Sequence, residues 1–342
     1  MKKLTVLLIL SFFLVACSGE EGEGAQEDED VKRIFEVLHA HAEFAAYYFE
    51  RLQSMWDEDN GEMWGVSLHT PVVIFCTESS AFAANRPDKE GEFSKLYIDG
   101  IEVFAGIRRV GGLPELSRHD WNGQTGVFIS KQYMQTVQSH YIGTFNNPST
   151  VSLMTMNHYA LHALQPTLMN VSGSFRPAVM DESAWISYIL EISALIYAIN
   201  NSGQEKLSAI NDALSIRQAR REAFNITNTE NLMQVSEGTA IYTELHMLFT
   251  RTEIEKIIQS WPEMFIMAGS AYDAAMVYCY NSVTLYGMLL DDLGVYWRHD
   301  VWSDTDFGII LKNALGITEL MSHDEIDLER YGHSNIINQV QR

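Results

Sequence analysis

Positive charge is what this sequence has least of. Its 23 lysines and arginines face 45 aspartates and glutamates, a formal net charge of −22 over 342 residues. Setting aside Lys2 and Lys3 and the seven acids between Ser18 and Asp30 still leaves −17 for the rest. A surface that acidic repels phosphate backbones and anionic headgroups, which excludes nucleic acid as a partner. Cysteine is nearly missing as well, with only Cys17, Cys76 and Cys279. The last two lie in apolar runs (VVIFC and MVYCY) without metal-site spacing, so they form either one disulfide in an oxidising compartment or two buried free thiols. No glycine-rich nucleotide loop, no G-x-S-x-G elbow and no internal repeat is present, which leaves dinucleotide binding, serine hydrolysis and solenoid folds without support. Beyond the N-terminus, unbroken apolar runs of membrane-spanning length are lacking too. The best, Ala184 to Ile199, is interrupted by Glu191 and preceded by Asp181 and Glu182.

What is present begins with residues 1–17, MKKLTVLLILSFFLVAC. Two lysines precede an apolar stretch, Leu4 to Val15, that is too short for a permanent span and has the form of a secretory signal. It ends in Leu14-Val15-Ala16-Cys17, which resembles the bacterial lipobox; an ordinary signal peptide with a chance cysteine is the plainer alternative. The resemblance implies cleavage before Cys17, lipidation of its thiol, and a membrane partner reached through that anchor. It also implies residence in the cell envelope, and Ser18, in a Gram-negative host, implies the outer membrane facing the periplasm. Residues 18–30, SGEEGEGAQEDED, carry nothing apolar larger than alanine. Such a stretch cannot bury enough surface to offset its ordering entropy, so it is expected to be a disordered tether.

The body, residues 31–342, is long enough for a sizeable core, as one large domain or two fused subdomains; we take it as one. Residues 31–57 place Ile34, Val37, Leu38, Ala42, Ala45, Phe49 and Leu52 at helical spacing. Over 64–135 the pattern turns to short β-prone runs (Val72–Phe75, Lys95–Ile98, Gly126–Ile129) separated by Gly, Pro, Asn and Asp. From 149 to 298 it is helical, with apolar stretches at 151–165 and 183–200, a charged helix at 205–223, one at 230–250 and two more within 252–292. The expected fold is α+β, mostly helical, with a small sheet towards the N-terminal side.

One segment carries chemistry: Asn157-His158-Tyr159-Ala160-Leu161-His162-Ala163-Leu164-Gln165-Pro166. Histidines at i and i+4 share a helical face, so both imidazoles can reach one metal ion. With 11 histidines in the chain, chance supplies such a pair in roughly one sequence of this kind in three, so the pair alone is weak. A glutamate on a later helix, Glu237 in Ser236-Glu237-Gly238-Thr239-Ala240-Ile241-Tyr242, can complete a His2Glu site. Alone it reads as a solvated carboxylate.

Several blocks, in order, resemble a family of bacterial secreted proteins with a gluzincin-type HExxH motif. They run from Trp64-Gly65 through Pro71-Val72-Val73, Ala84-Asn85-Arg86-Pro87-Asp88 and Asp120-Trp121-Asn122-Gly123. His158 to Pro166 is similar to HExFHxxQP, and Leu190-Glu191 with Ala194-Leu195 to LEWxAL. Arg217 and Arg220-Arg221 are similar to an arginine helix, Glu237 to Tyr242 to EGLAEY, and Tyr286 to Asp291 to YGxLLD. The resemblance implies a zincin-like domain, zinc held by His158, His162 and Glu237 with water at the fourth position, and a peptide or envelope protein as ligand.

The chain departs from that family where it matters. The general-base glutamate of HExxH is replaced by Tyr159. A phenol with an unperturbed pKa near ~10 is a poor base at neutral pH, and a positioned base is worth roughly 10²–10⁴ in rate. Metal binding does not need that residue. Three readings follow. The protein is a pseudo-peptidase with a binding or structural role; or it is an active zinc hydrolase using another base, with Glu191, Glu244 and His246 as candidates; or it is an unrelated helical lipoprotein. Glu191, set in the apolar WISYILEISALIYAI, needs a partner, for which Arg217 or Arg220 is the choice. Glu191, Arg217 and Tyr242 are candidates for supporting a metal ligand from behind, against a plain ion pair and core packing. Tyr242 and Tyr286 also read as stabilising an oxyanion near a metal, against core packing. Arg298 and His299 read as a cleft mouth or simple surface, and Met264, Met267 and Met276 as core.

Overall fold

The computed structural model describes residues 24–88, 93–108, 114, 116–135, 148–168, 180–301 and 304–341. The signal and lipobox residues, 1–17, and tether residues 18–23 lie outside these. The fold is α+β and mostly helical, with one six-stranded mixed sheet. Its contacts divide it into two compact units, one formed by the chain to Arg51 with Pro71–Val137, the other by Leu52–Thr70 with Gln138–Arg342.

The first unit sets most of a long helix, α1 (Gly24–Asp59), with the sheet. The helix starts at Gly24, so residues 24–30 are helical rather than a disordered tether. Further along, His41, Ala42, Ala45, Ala46 and Phe49 are buried at helical spacing, and His41 Nε2 donates to the Ile74 carbonyl at 2.9 Å. Burial pushes the His41 pKa down, which keeps the ring neutral in that role.

The strands are β1 (Val72–Cys76), β2 (Ala81–Ala84), β3 (Ser94–Ile98), β4 (Ile101–Ile107), β5 (Leu116–Trp121) and β6 (Gln124–Ser130), in the order β3-β4-β2-β1-β6-β5. Among the described strands only β1 and β6 pair in parallel, with Ile74 opposite Ile129. Both lie inside the sheet and are apolar on both faces, as central strands require. Asp99-Gly100 and Asn122-Gly123 close the β3–β4 and β5–β6 hairpins with positive φ at both positions, the backbone a two-residue hairpin turn demands. Phe75, Phe82, Phe93, Phe104, Trp121 and Phe128 form an aromatic core on the sheet.

The second unit is helical: α2 (Pro148–Leu168), α3 (Glu182–Asn200), α4 (Gly203–Phe224), α5 (Thr227–Met233), a π turn (Gln234–Gly238), α6 (Thr239–Leu248), α7 (Arg251–Ile258), α8 (Trp261–Ile266), α9 (Ala271–Asp292), α10 (Phe307–Ala314) and α11 (His333–Val340). Asp181, Ser270 and Asp306 cap α3, α9 and α10 by accepting first-turn amides, and Thr250 with Glu253 forms a capping box on α7. α3 has the length and apolarity of a membrane span, yet it is a core helix with 61% of that window buried, packed on α4 and α9. The single helix expected over 230–250 is interrupted by the π turn. Met264 and Met276 are only partly buried and Met267 is 77% exposed, so this stretch is not core as expected; Trp261 and Phe265, one turn apart, take the inward positions instead. Cys76 and Cys279 are both free thiols, but only Cys279 is buried as expected; Cys76 is partly exposed.

Buried between α3, α4 and α5 is an ion network. Glu191, fully buried, accepts from Arg220 Nη1 at 2.6 Å and from the Tyr278 and Tyr286 hydroxyls, both at 2.6 Å. Glu230 accepts from Arg220 Nε at 3.1 Å, Arg221 Nε at 2.7 Å and Tyr188 at 2.9 Å. Asp306 pairs with Arg217 at 3.3 Å and with Arg221. Three arginines thus face three carboxylates. Burial alone would raise the Glu230 and Asp306 carboxyls, but the arginines outweigh it and hold each at about 2. Unpaired, any one of these charges would be costly in such a place.

Candidate metal centre

All of the metal-type residues lie in the second unit. His158 and His162, one turn apart on α2, turn their rings edge to face, 4.6 Å between centroids, and bring their Nε2 atoms within 3.0 Å. Glu237, in the π turn, places Oε2 3.2 Å from His162 Nε2 and 3.5 Å from His158 Nε2. One donor atom from each of the three lies within 4.8 Å of the others, and the group can hold a metal ion.

The back of each ring explains why these nitrogens face one another. Gln165, three residues after His162, donates its amide to the Ser236 carbonyl at 2.5 Å, Thr239 Oγ1 at 3.0 Å and the Val235 carbonyl at 3.3 Å. That fixes its Oε1 towards His162 Nδ1, at 2.6 Å, so the Nδ1 must carry the proton. Glu244, on α6, does the same for His158, with Oε2 3.2 Å from Nδ1. With both protons held behind, two ring lone pairs and a carboxylate converge on one point, an arrangement that calls for a cation. A proton can serve. Burial would lower the His158 pKa, but hydrogen bonds to Glu237 and Glu244 override it and raise it to about 9. Burial likewise opposes ionisation of Glu237, and the two imidazoles overcome it, holding the carboxyl well below the usual carboxylate range.

The π turn positions Glu237. Its first residue, Gln234, accepts from Arg217 Nη2 at 2.8 Å and donates to Ser282 at 2.6 Å, anchoring the turn to α4 and α9. Its last, Gly238, lies against α9 so closely that a Cβ would stand 2.4 Å from Val283 Cγ2 and 2.7 Å from the Cys279 carbonyl. On α2, Asn157 is held by Trp56 Nε1 at 2.9 Å. Two tyrosines border the cluster. The Tyr159 ring lies 5.4 Å from His158 and edge-on to His162 at 5.6 Å. The Tyr280 ring lies parallel to His158 at 6.4 Å.

The other candidates fall elsewhere. Glu191 has no contact with the three metal-type residues; Arg220 and Arg217 are its partners, as the sequence suggested, and Arg217 touches the site only through Gln234. Tyr286 belongs to Glu191. Tyr242 donates to Asp291 at 2.7 Å, accepts from Arg298, and stacks on His246 at 3.8 Å, a packing role rather than support of a ligand. Arg298 is therefore tied to Asp291 and Tyr242, and His299 stacks on Tyr296 at 4.3 Å. Sequence reasoning passed over Gln165 and Tyr280 and took Glu244 for a base. Gln165 had a signal, its place one turn beyond His162 on the same face; Tyr280 had none.

Comparison of the chain with known protein families, with curated proteins and with solved structures gives no match in any of the three.

Proposed function

We propose that this protein is a lipid-anchored envelope protein with a zinc site at His158, His162 and Glu237, serving a binding or structural role rather than efficient peptide hydrolysis. The donor set fits zinc: two imidazoles whose tautomers are fixed by Gln165 and Glu244, and one carboxylate. A bound zinc would supply Lewis-acid polarisation of an oxygen at its fourth position. The observation that carries the non-catalytic reading is that each candidate substitute for the missing base is already engaged. Glu244 holds the back of His158. His246 turns its Nδ1 to the Tyr242 carbonyl at 2.9 Å. Glu191 is sealed among arginines and tyrosines. The phenol of Tyr159 is left beside the histidines, and it does not take protons from water at neutral pH. The lipobox at Cys17 and the acidic stretch after it support placement on an envelope membrane through a lipid anchor, with a peptide or envelope protein as the bound partner.

The test is zinc content of the purified full-length chain beside a His158→Ala, His162→Ala double variant, followed by peptide hydrolysis. The expected result is about one zinc per chain, lost in the double variant, with negligible hydrolysis that Tyr159→Glu raises by about 10²–10⁴. No zinc after add-back would sink the metal reading. Brisk wild-type hydrolysis abolished by Glu244→Gln would make the protein an enzyme with a substitute base.

A further inference from the structure

We infer that Ser67 is a nucleophile for acyl transfer, with His69 as its general base and Asp57 positioning that base, at a site separate from the metal centre. All three residues lie in the second unit. Ser67 Oγ is 2.6 Å from His69 Nδ1, and His69 Nε2 is 3.0 Å from Asp57 Oδ1. A chain of hydroxyl, imidazole and carboxylate is recognised by its geometry, not by its order in a sequence. Local structure assembles it. Residues 67–70 alternate in burial: Leu68 and Thr70 are buried, Ser67 is exposed and His69 partly so. Asp57 lies in the last turn of α1, and Gln53, one turn earlier, donates its amide to both carboxylate oxygens at 2.9 Å. The buried Trp56 ring meets the imidazole edge-on at 5.6 Å, and its own Nε1 donates to Asn157 at 2.9 Å.

The proton positions follow from what each group can do. A carboxylate only accepts, so the imidazole nitrogen facing Asp57 carries the proton and Nδ1 keeps its lone pair. Gln53 Nε2 also stands 3.0 Å from His69 Nε2, but its protons go to the carboxylate. The Ser67 hydroxyl then donates to Nδ1, the contact a general base needs, and the His69 amide donates to the same oxygen at 3.3 Å. In the reaction, Ser67 Oγ bonds to the carbonyl carbon of an ester as its proton passes to Nδ1. The proton goes on to the leaving alkoxide as the ester C–O bond breaks. Water attacks the acyl-serine by the same route, which restores the hydroxyl and releases the acid. Residues 53–70 hold Asp57, Glu58, Asp59 and Glu62 and no lysine or arginine, so the exposed serine favours neutral or cationic esters over anionic ones.

The probe is a fluorophosphonate, which phosphonylates activated serines, applied to the purified full-length chain with the adduct mapped by mass spectrometry. Hydrolysis of p-nitrophenyl acetate is followed alongside. The expected result is one adduct per chain, on Ser67, with ester turnover that Ser67→Ala abolishes. His69→Gln should slow labelling by about 10²–10⁴-fold. Asp57→Asn should slow it too and move the His69 proton from Nε2 to Nδ1, read from nitrogen-15 ring shifts, a change that a merely structural role would not produce. The adduct and the tautomer are both read on the wild-type chain, so a poorly folding variant does not shelter the idea. No adduct on Ser67, hydrolysis that survives Ser67→Ala, or a wild-type proton on Nδ1 overturns it. Mono-p-nitrophenyl succinate, an anionic ester, should react more slowly than the acetate; equal rates would overturn the charge preference. Mapping to Ser67 keeps esterase activity of a zinc ion at the metal centre from passing for this site.

Discussion

At the scale of single residues, the site turns on groups that touch no ion. Gln165 makes one contact to His162 and three to the segment carrying Glu237, so one amide sets the ring of one ligand against the backbone beside another. Replacing it with leucine frees His162 to rotate and strands the Ser236 carbonyl. Gln165→Leu should therefore weaken zinc binding by about 10–100-fold, measured by chelator competition. An unchanged affinity would show that α2 alone holds the histidine. His158 and His162 were legible in the sequence because i,i+4 spacing on a helix has a fixed geometric meaning, whereas Glu237 was named through the family resemblance. Glu244 was legible as a residue but not in its role, since the sequence does not say which side of an imidazole a carboxylate will meet. Tyr280 was not legible at all: its place depends on how α9 crosses the π turn, a tertiary fact.

At the scale of elements, α3 and α4 show why apolar pattern alone can mislead. α3 reads as an apolar helix with one stray acid, yet that acid anchors a network of six charges and several phenols. The partners of Glu191 could be named because a buried carboxylate must have some; Glu230 and Asp306 could not, lying in ordinary polar segments. The network has a pH signature. Glu230 and Asp306 sit at about 2 in the fold, below the 4.5 and 3.8 of their unpaired forms. Their contribution is complete above the unfolded values and drains away as pH falls from there towards 2. Urea unfolding at stepped pH should show stability falling in that window by up to about 1.4 kcal/mol per pH unit for each group. Glu230→Gln should reduce the slope, and an unaltered slope would mean that the carboxylate is not held ionised by its arginines. The break of the 230–250 helix was likewise invisible in sequence: the π turn follows from where Gln234 and Gly238 meet α9.

At the scale of the whole molecule, the sequence conveyed the α+β class because alternation of two and periodicity of 3.6 occupy different stretches. It also suggested a tether over 18–30, of which residues 24–30 belong to α1. The anchor is testable directly. The wild-type chain expressed in a bacterial host should incorporate labelled palmitate and sediment with membranes, and Cys17→Ser should do neither. Labelling that survives the substitution would place the lipid elsewhere and remove the lipobox reading.

Gly238 has a consequence for tracing the lineage of this chain. The neighbours that exclude a side chain there are a backbone carbonyl and a β-branched residue of α9, and they act whether or not a cation is ever bound. The glycine therefore marks the scaffold, whereas the histidines mark its chemistry. A sequence that keeps the glycine while losing the histidines would share this scaffold without the candidate metal cluster.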